Sequence, residues 1–77
     1  MTMTADEVAW LKRIAKRVKI ARIQHDLTQA DLADLASLTR NKISAIERSA
    51  ELLKVYELNR IARAVGMEVA ELLDGAP

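Results

Sequence analysis

The segment LTQADLADLASLTRNKISAIER, Leu27 to Arg48, constrains this chain more than any other, because two threonines inside it each open a short apolar pattern of helical period. A threonine hydroxyl can accept from the unpaired N–H groups at a helix start, and Asp31, three residues after Thr28, can answer as the acidic partner of a capping-box-like pair. Leu32 and Leu35, with small Ala33 and Ala36 beside them, then form one apolar face, while Asp31 and Asp34 point elsewhere. That face is expected to be buried. Thr39 caps again, and Ile43 and Ile46 supply the next apolar pair at i, i+3, which leaves Arg40, Asn41, Ser44 and Arg48 on the opposite, solvent-facing side.

Two short amphipathic helices with a tight turn between them suit a helix-turn-helix, in which a supporting helix packs across a second helix that enters the DNA major groove. Ala33 falls where the two helices cross closely, so a larger side chain there would push them apart. Ser37 occupies the turn position that glycine often fills. It is small but carries a Cβ, so a positive φ there has a cost.

The rest of the chain reads as helix. Leu11, Ile14, Val18 and Ala21 give residues 5–25 one apolar stripe, with Thr4 as cap and Asp6 and Glu7 in the first turn, where the helix dipole favours negative charge. Asp26-Leu27 breaks this helix. Residues 49–53 are expected to connect, although Ser49 could itself cap an early start to the next helix. Val55, Leu58, Ile61, Ala62 and Val65 form a stripe stopped by Gly66, and a short helix over 69–73 closes on Asp74-Gly75. With 51% hydrophobic but only 3% aromatic residues, two glycines and one proline, the fold class expected is all-α: five helices, with the motif at the second and third.

At 77 residues there is room for one domain, 1–77, in which residues 5–12 extend the first helix. The absence of cysteine removes disulfides, thiolate zinc sites and cysteine nucleophiles, and agrees with a reducing, cytoplasmic setting. No apolar run approaches the roughly 20 residues that cross a bilayer, and the opening MTMTADEVAW is unlike a secretory signal. Nothing resembles a nucleophile beside a base, paired carboxylates in a cleft or a glycine-rich phosphate loop, so no enzyme, cofactor or metal site is expected. The single His25, near a helix end, reads as a C-terminal cap. A net charge of +1 argues little for nucleic acid; Lys12, Arg13, Lys16, Arg17, Lys19 and Arg22 of the first helix read first as a solvated face.

The segments RVKIARIQHDLTQADLADLAS, LTRNKISAIER and GMEVAELLDG together resemble the Cro and repressor (Xre-like) family of helix-turn-helix DNA-binding domains, over Leu11 to Leu73. The last segment is similar to the final helix of lambdoid phage repressors. Asp26, Ser37 and Ser49 stand where that family commonly has glycine, and Leu52-Leu53 where a polar residue and proline are common. The resemblance implies a lambda-repressor-like domain acting as a transcriptional regulator, of the Cro-like, restriction-modification controller or antitoxin kind. It further implies that Arg22 and Glu47 form a partly buried structural ion pair joining the first helix to the third. A glutamate on the inner flank of the third helix would also repel phosphate.

Base edges must be read by donors and acceptors, since phosphate contacts carry no sequence information. Arg40 can pair with guanine O6 and N7, and Asn41 with adenine N6 and N7. Ser44 either touches a base edge or admits close approach, and Ala45 offers a methyl group. The alternative for all of them is ordinary exposed polarity. Gln29 opens the second helix, where free N–H groups suit a phosphate, and its counterpart in the resembling family binds the DNA backbone. Thr28 and Thr39 cap, contact phosphate, or both; Lys42 and Arg48 flank the readout face as phosphate anchors. Paired half-sites about 34 to 36 Å apart call for a homodimer, with Leu52, Leu53 and Tyr56 as the expected interface and Val8 and Trp10 of the extension as the next place to look. The competing function is a protein-interaction adaptor that keeps the fold but holds a protein partner on Trp10, Ile20, Ile23, Leu52, Leu53 and Tyr56.

Overall fold

Capping side chains fix where the helices begin in the computed structural model, which describes residues 2–50 and 53–74. Thr4 stands in extended backbone before α1 (Ala5–Gln24): its hydroxyl accepts from the Glu7 N–H at 3.1 Å, and the Glu7 carboxylate accepts from the Thr4 N–H at 2.8 Å. Thr28 and Asp31 repeat this box before α2 (Gln29–Ala36), with both bonds at 3.0 Å. Thr39 caps α3 (Arg40–Arg48) by accepting from the Lys42 N–H at 3.1 Å. Before α4 (Val55–Ala64) the Glu57 carboxylate accepts from the Lys54 N–H at 2.9 Å, and α5 (Val69–Asp74) follows. No strand occurs among the described residues.

Helices α1, α2 and α4 end alike. Asp26, Ser37 and Gly66 each adopt a left-handed φ, at +55°, +55° and +65°. The next N–H reaches back to the last turn in each case: Leu27 to the Arg22 carbonyl, Leu38 to that of Ala33, Met67 to that of Ala62, at 2.8–3.1 Å. These are Schellman turns, in which an apolar residue after the turn packs back on the helix. Leu27, Leu38 and Met67 are all half-buried against the core. A Cβ on Gly66 would meet nothing within 4 Å, so its backbone angle and not space favours glycine there. Helix α3 differs, because Ser49 leaves it in extended backbone that needs no glycine.

The main core joins Val18 and Ala21 of α1, Leu32, Ala33 and Ala36 of α2, Ile43 and Ile46 of α3, Leu58, Ile61, Ala62 and Val65 around α4, and Leu72 of α5. Ile14, Ala15 and Ala50 form a smaller cluster, bridged to the first by Leu53 and Leu73. Two expectations need correcting. Leu35 is 60% exposed, because the stripe that packs, at 32, 33 and 36, lies round the helix from it. Val55 is 84% exposed, because it opens α4 at the rim of a groove, beyond the packed part of its stripe.

Candidate nucleic-acid interface

Ile43 and Ile46, both essentially buried, seat α3 on the core. An ion pair stands on either side of that apolar stripe. Toward α1, Arg22 Nε donates to Glu47 Oε2 at 2.7 Å and Nη2 to Oε1 at 3.1 Å. The Arg22 and Glu47 side chains are 12% and 4% exposed, and Nη1 also donates to the Leu27 carbonyl at 2.8 Å. Hydrogen bonding to Glu47 pushes the guanidinium pKa up from its ordinary value, against the opposite pull of burial. Toward α4, the Lys42 ammonium lies 3.3 Å from Glu57 Oε1.

All the packing of α3 therefore lies on one side, and the other presents a polar row. Arg40 and Asn41 are exposed in its first turn. Ser44 is half-buried one turn on, where its hydroxyl accepts from Arg48 Nη1 at 3.3 Å, so these two side chains come as a unit. The Thr28 and Thr39 hydroxyls accept as caps and keep their own protons to donate. Gln29 Nε2 donates to Glu47 Oε1 at 3.3 Å, which brings it to the Arg22 pair. Lys42, expected as a phosphate anchor flanking the readout face, is half-buried with its ammonium toward α4.

Sequence reasoning missed Glu57, a carboxylate 4% exposed whose signal was its place three residues after the helix-opening Lys54. It also missed the Arg22 bond to Leu27 and the Arg60 bond to the Ser37 carbonyl at 3.4 Å, which ties α4 to the turn of the motif.

Away from α3, His25 is the C-cap of α1, its Nδ1 2.9 Å from the Ala21 carbonyl oxygen. Leu52, one of the expected dimer residues, lies outside the described residues. Leu53 is half-buried between both core clusters. Tyr56 is half-exposed, with the Arg60 guanidinium 4.9 Å and the Lys54 ammonium 5.9 Å from its ring centre. Trp10, Leu53 and Val55 border an apolar groove of about 160 Å³. Among the described residues no helix is long and apolar enough to cross a membrane, and no cluster of carboxylates and histidine could hold a metal.

Residues 13–74 match the helix-turn-helix domain family. No curated protein sequence matches the chain. Among solved structures, the restriction-modification controller protein C.Esp1396I is similar at 27% identity and TM-score 0.81, with 87% of each chain covered. The controller protein C.AhdI from Aeromonas hydrophila is similar at 28% identity and TM-score 0.79, over 83% of this chain and 97% of that one. SinR, the master regulator for biofilm formation solved in complex with DNA, is similar at 26% identity and TM-score 0.74, over 79% and 98%. A capped two-helix motif with its polar row turned outward, matched over most of its length, makes the chain a member of the helix-turn-helix domain family and a DNA-binding transcriptional regulator of the Cro/repressor kind, not an enzyme.

Proposed function

We propose that this regulator binds a paired half-site operator as a homodimer, with α3 in the major groove. Arg40 and Asn41 read base edges, and Ser44 either touches a base or admits the backbone closely. Thr28, Gln29, Thr39 and Arg48 contact phosphates, with Lys42 beside them under the hold of Glu57. Arg22 and Glu47 keep α3 in place. Residues 1–77 work as one domain in the cytoplasm, with 5–12 as the N-terminal extension of its first helix.

The observation that carries this reading is the division of α3: Ile43, Ile46, Lys42 and Glu47 face the protein, while Arg40 and Asn41 project from its first turn into solvent. The likeness to SinR, solved with DNA, supports the same placement. A mobility-shift assay on the DNA upstream of its own gene tests it. A retarded complex that survives excess heterologous duplex is expected; equal competition by heterologous duplex would remove sequence-specific binding.

A further inference from the structure

Lys42 sits in the first turn of α3 between Asn41 and Ile43, so its charge lies next to the readout row. It is not a simple outward cation. Its ammonium is 3.3 Å from Glu57 Oε1, and the two side chains are only 26% and 6% exposed. The same carboxylate oxygen accepts from the Lys54 N–H at 2.9 Å, within the first turn of α4, where the helix dipole also favours negative charge. Glu57 is thus held from its own helix as well as by Lys42. A lysine paired with a fixed carboxylate presents almost no net charge to a phosphate and displaces few of its counterions.

We propose that Glu57 restrains DNA binding, cancelling the charge of Lys42 so that the first turn of α3 draws on one phosphate fewer per protomer than its residues suggest. The inference rests on the placement of α3 in the major groove. Because phosphate contacts carry no sequence information, operator and non-operator affinities are lowered alike. Discrimination stays with Arg40 and Asn41.

The test is binding to a fluorescent duplex of mixed sequence, followed by anisotropy between about 50 and 200 mM salt. Glu57→Gln keeps an oxygen for the Lys54 N–H while removing the charge. It should tighten binding roughly five- to ten-fold per bound protomer near 0.1 M salt and add about 0.9 per protomer to the magnitude of the salt slope. Adding Lys42→Met should abolish the gain. In the wild-type background Lys42→Met should flatten the slope far less than Arg48→Ala, a comparison that decides the matter even if Glu57→Gln does not fold. Unchanged affinity and slope in folded Glu57→Gln, weaker binding by it, or a full unit of slope lost in Lys42→Met alone would each overturn the restraint. If the wild-type protein binds no duplex even at the lowest salt, the placement of α3 in the groove fails first, and the restraint with it.

Discussion

Arg22 spreads one guanidinium over two helices and a connector, donating through Nε and Nη2 to Glu47 on α3 and through Nη1 to the carbonyl of Leu27. Removing Glu47 strands a cation that is largely desolvated. Losing one partner of a fully buried pair costs about 3 to 5 kcal/mol, and the partial exposure of Arg22 puts Glu47→Ala near about 3 kcal/mol. In a domain of this size each kcal/mol moves the melting temperature by roughly 4 to 8 °C. A thermal melt of Glu47→Ala within a degree of the parent would show the pair to be superficial. The outward residues behave oppositely: Arg40→Ala and Asn41→Ala should leave the melt unchanged and each weaken operator binding by about 1 to 3 kcal/mol, measured by titration against the operator and a mutated site. How legible these residues were depends on where each side chain turns. Exposure of Arg40 and Asn41 follows from the period of Ile43 and Ile46. The inward turn of Lys42 had a weaker signal, its place one helical turn before Ile46 on the edge of the buried stripe, and residue type alone pointed the other way. The reach of Gln29 to Glu47 depends on a rotamer, which no spacing encodes.

At the scale of elements, helix starts were more legible than helix ends. Hydroxyl and carboxylate spacing announces the boxes at Thr4–Glu7 and Thr28–Asp31 directly, since both partners are local in sequence. The Glu7 and Asp31 carboxyls are held below their ordinary values of 4.5 and 3.8, first by the backbone N–H groups of Thr4 and Thr28 and then by their hydroxyls. A carboxyl that ionises more readily when folded adds stability that is complete above its ordinary value and is lost as the pH falls through the lower folded one. Melting temperatures should therefore separate the parent from Asp31→Asn at neutral pH, with the gap closing below about pH 4; a gap that persists under strong acid would mean that Asp31 acts by something other than its charge. Helix ends were less legible because Asp26 and Ser37 do a turn usually given to glycine. Their signal was the apolar residue that follows each, Leu27 and Leu38, as Met67 follows Gly66. A left-handed serine costs roughly 1 to 2 kcal/mol, while glycine gives back about 0.5 to 1 in chain entropy. Ser37→Gly should thus raise stability by up to about 1.5 kcal/mol in denaturant melts; a loss would show that the serine side chain is needed at the turn.

At the scale of the whole molecule, helix count, order and core were legible from apolar period, but the limits of the core were not. Period says which residues share a face; it does not say how far the neighbouring element extends over that face. Leu35 and Val55 fall beyond those limits, and Leu53, expected at an interface, is drawn inward between the two clusters. The dimer face is therefore better tested at Val55 and Tyr56, whose exposed side chains can be changed without opening the core. Sedimentation equilibrium should give a wild-type dimer at tens of micromolar and a Val55→Glu, Tyr56→Glu monomer with an unchanged melt; a wild-type monomer would discard the dimer, and a dimeric variant would move the interface toward Trp10. The division of α3 has a consequence of a different kind. Ile43, Ile46, Lys42 and Glu47 anchor the helix through contacts that Arg40 and Asn41 do not share. Exchange at these two positions, proposed to read the bases, is thereby uncoupled from folding, so under that reading a lineage carrying this chain can drift from one operator to another by single substitutions, each intermediate remaining as well folded as its parent.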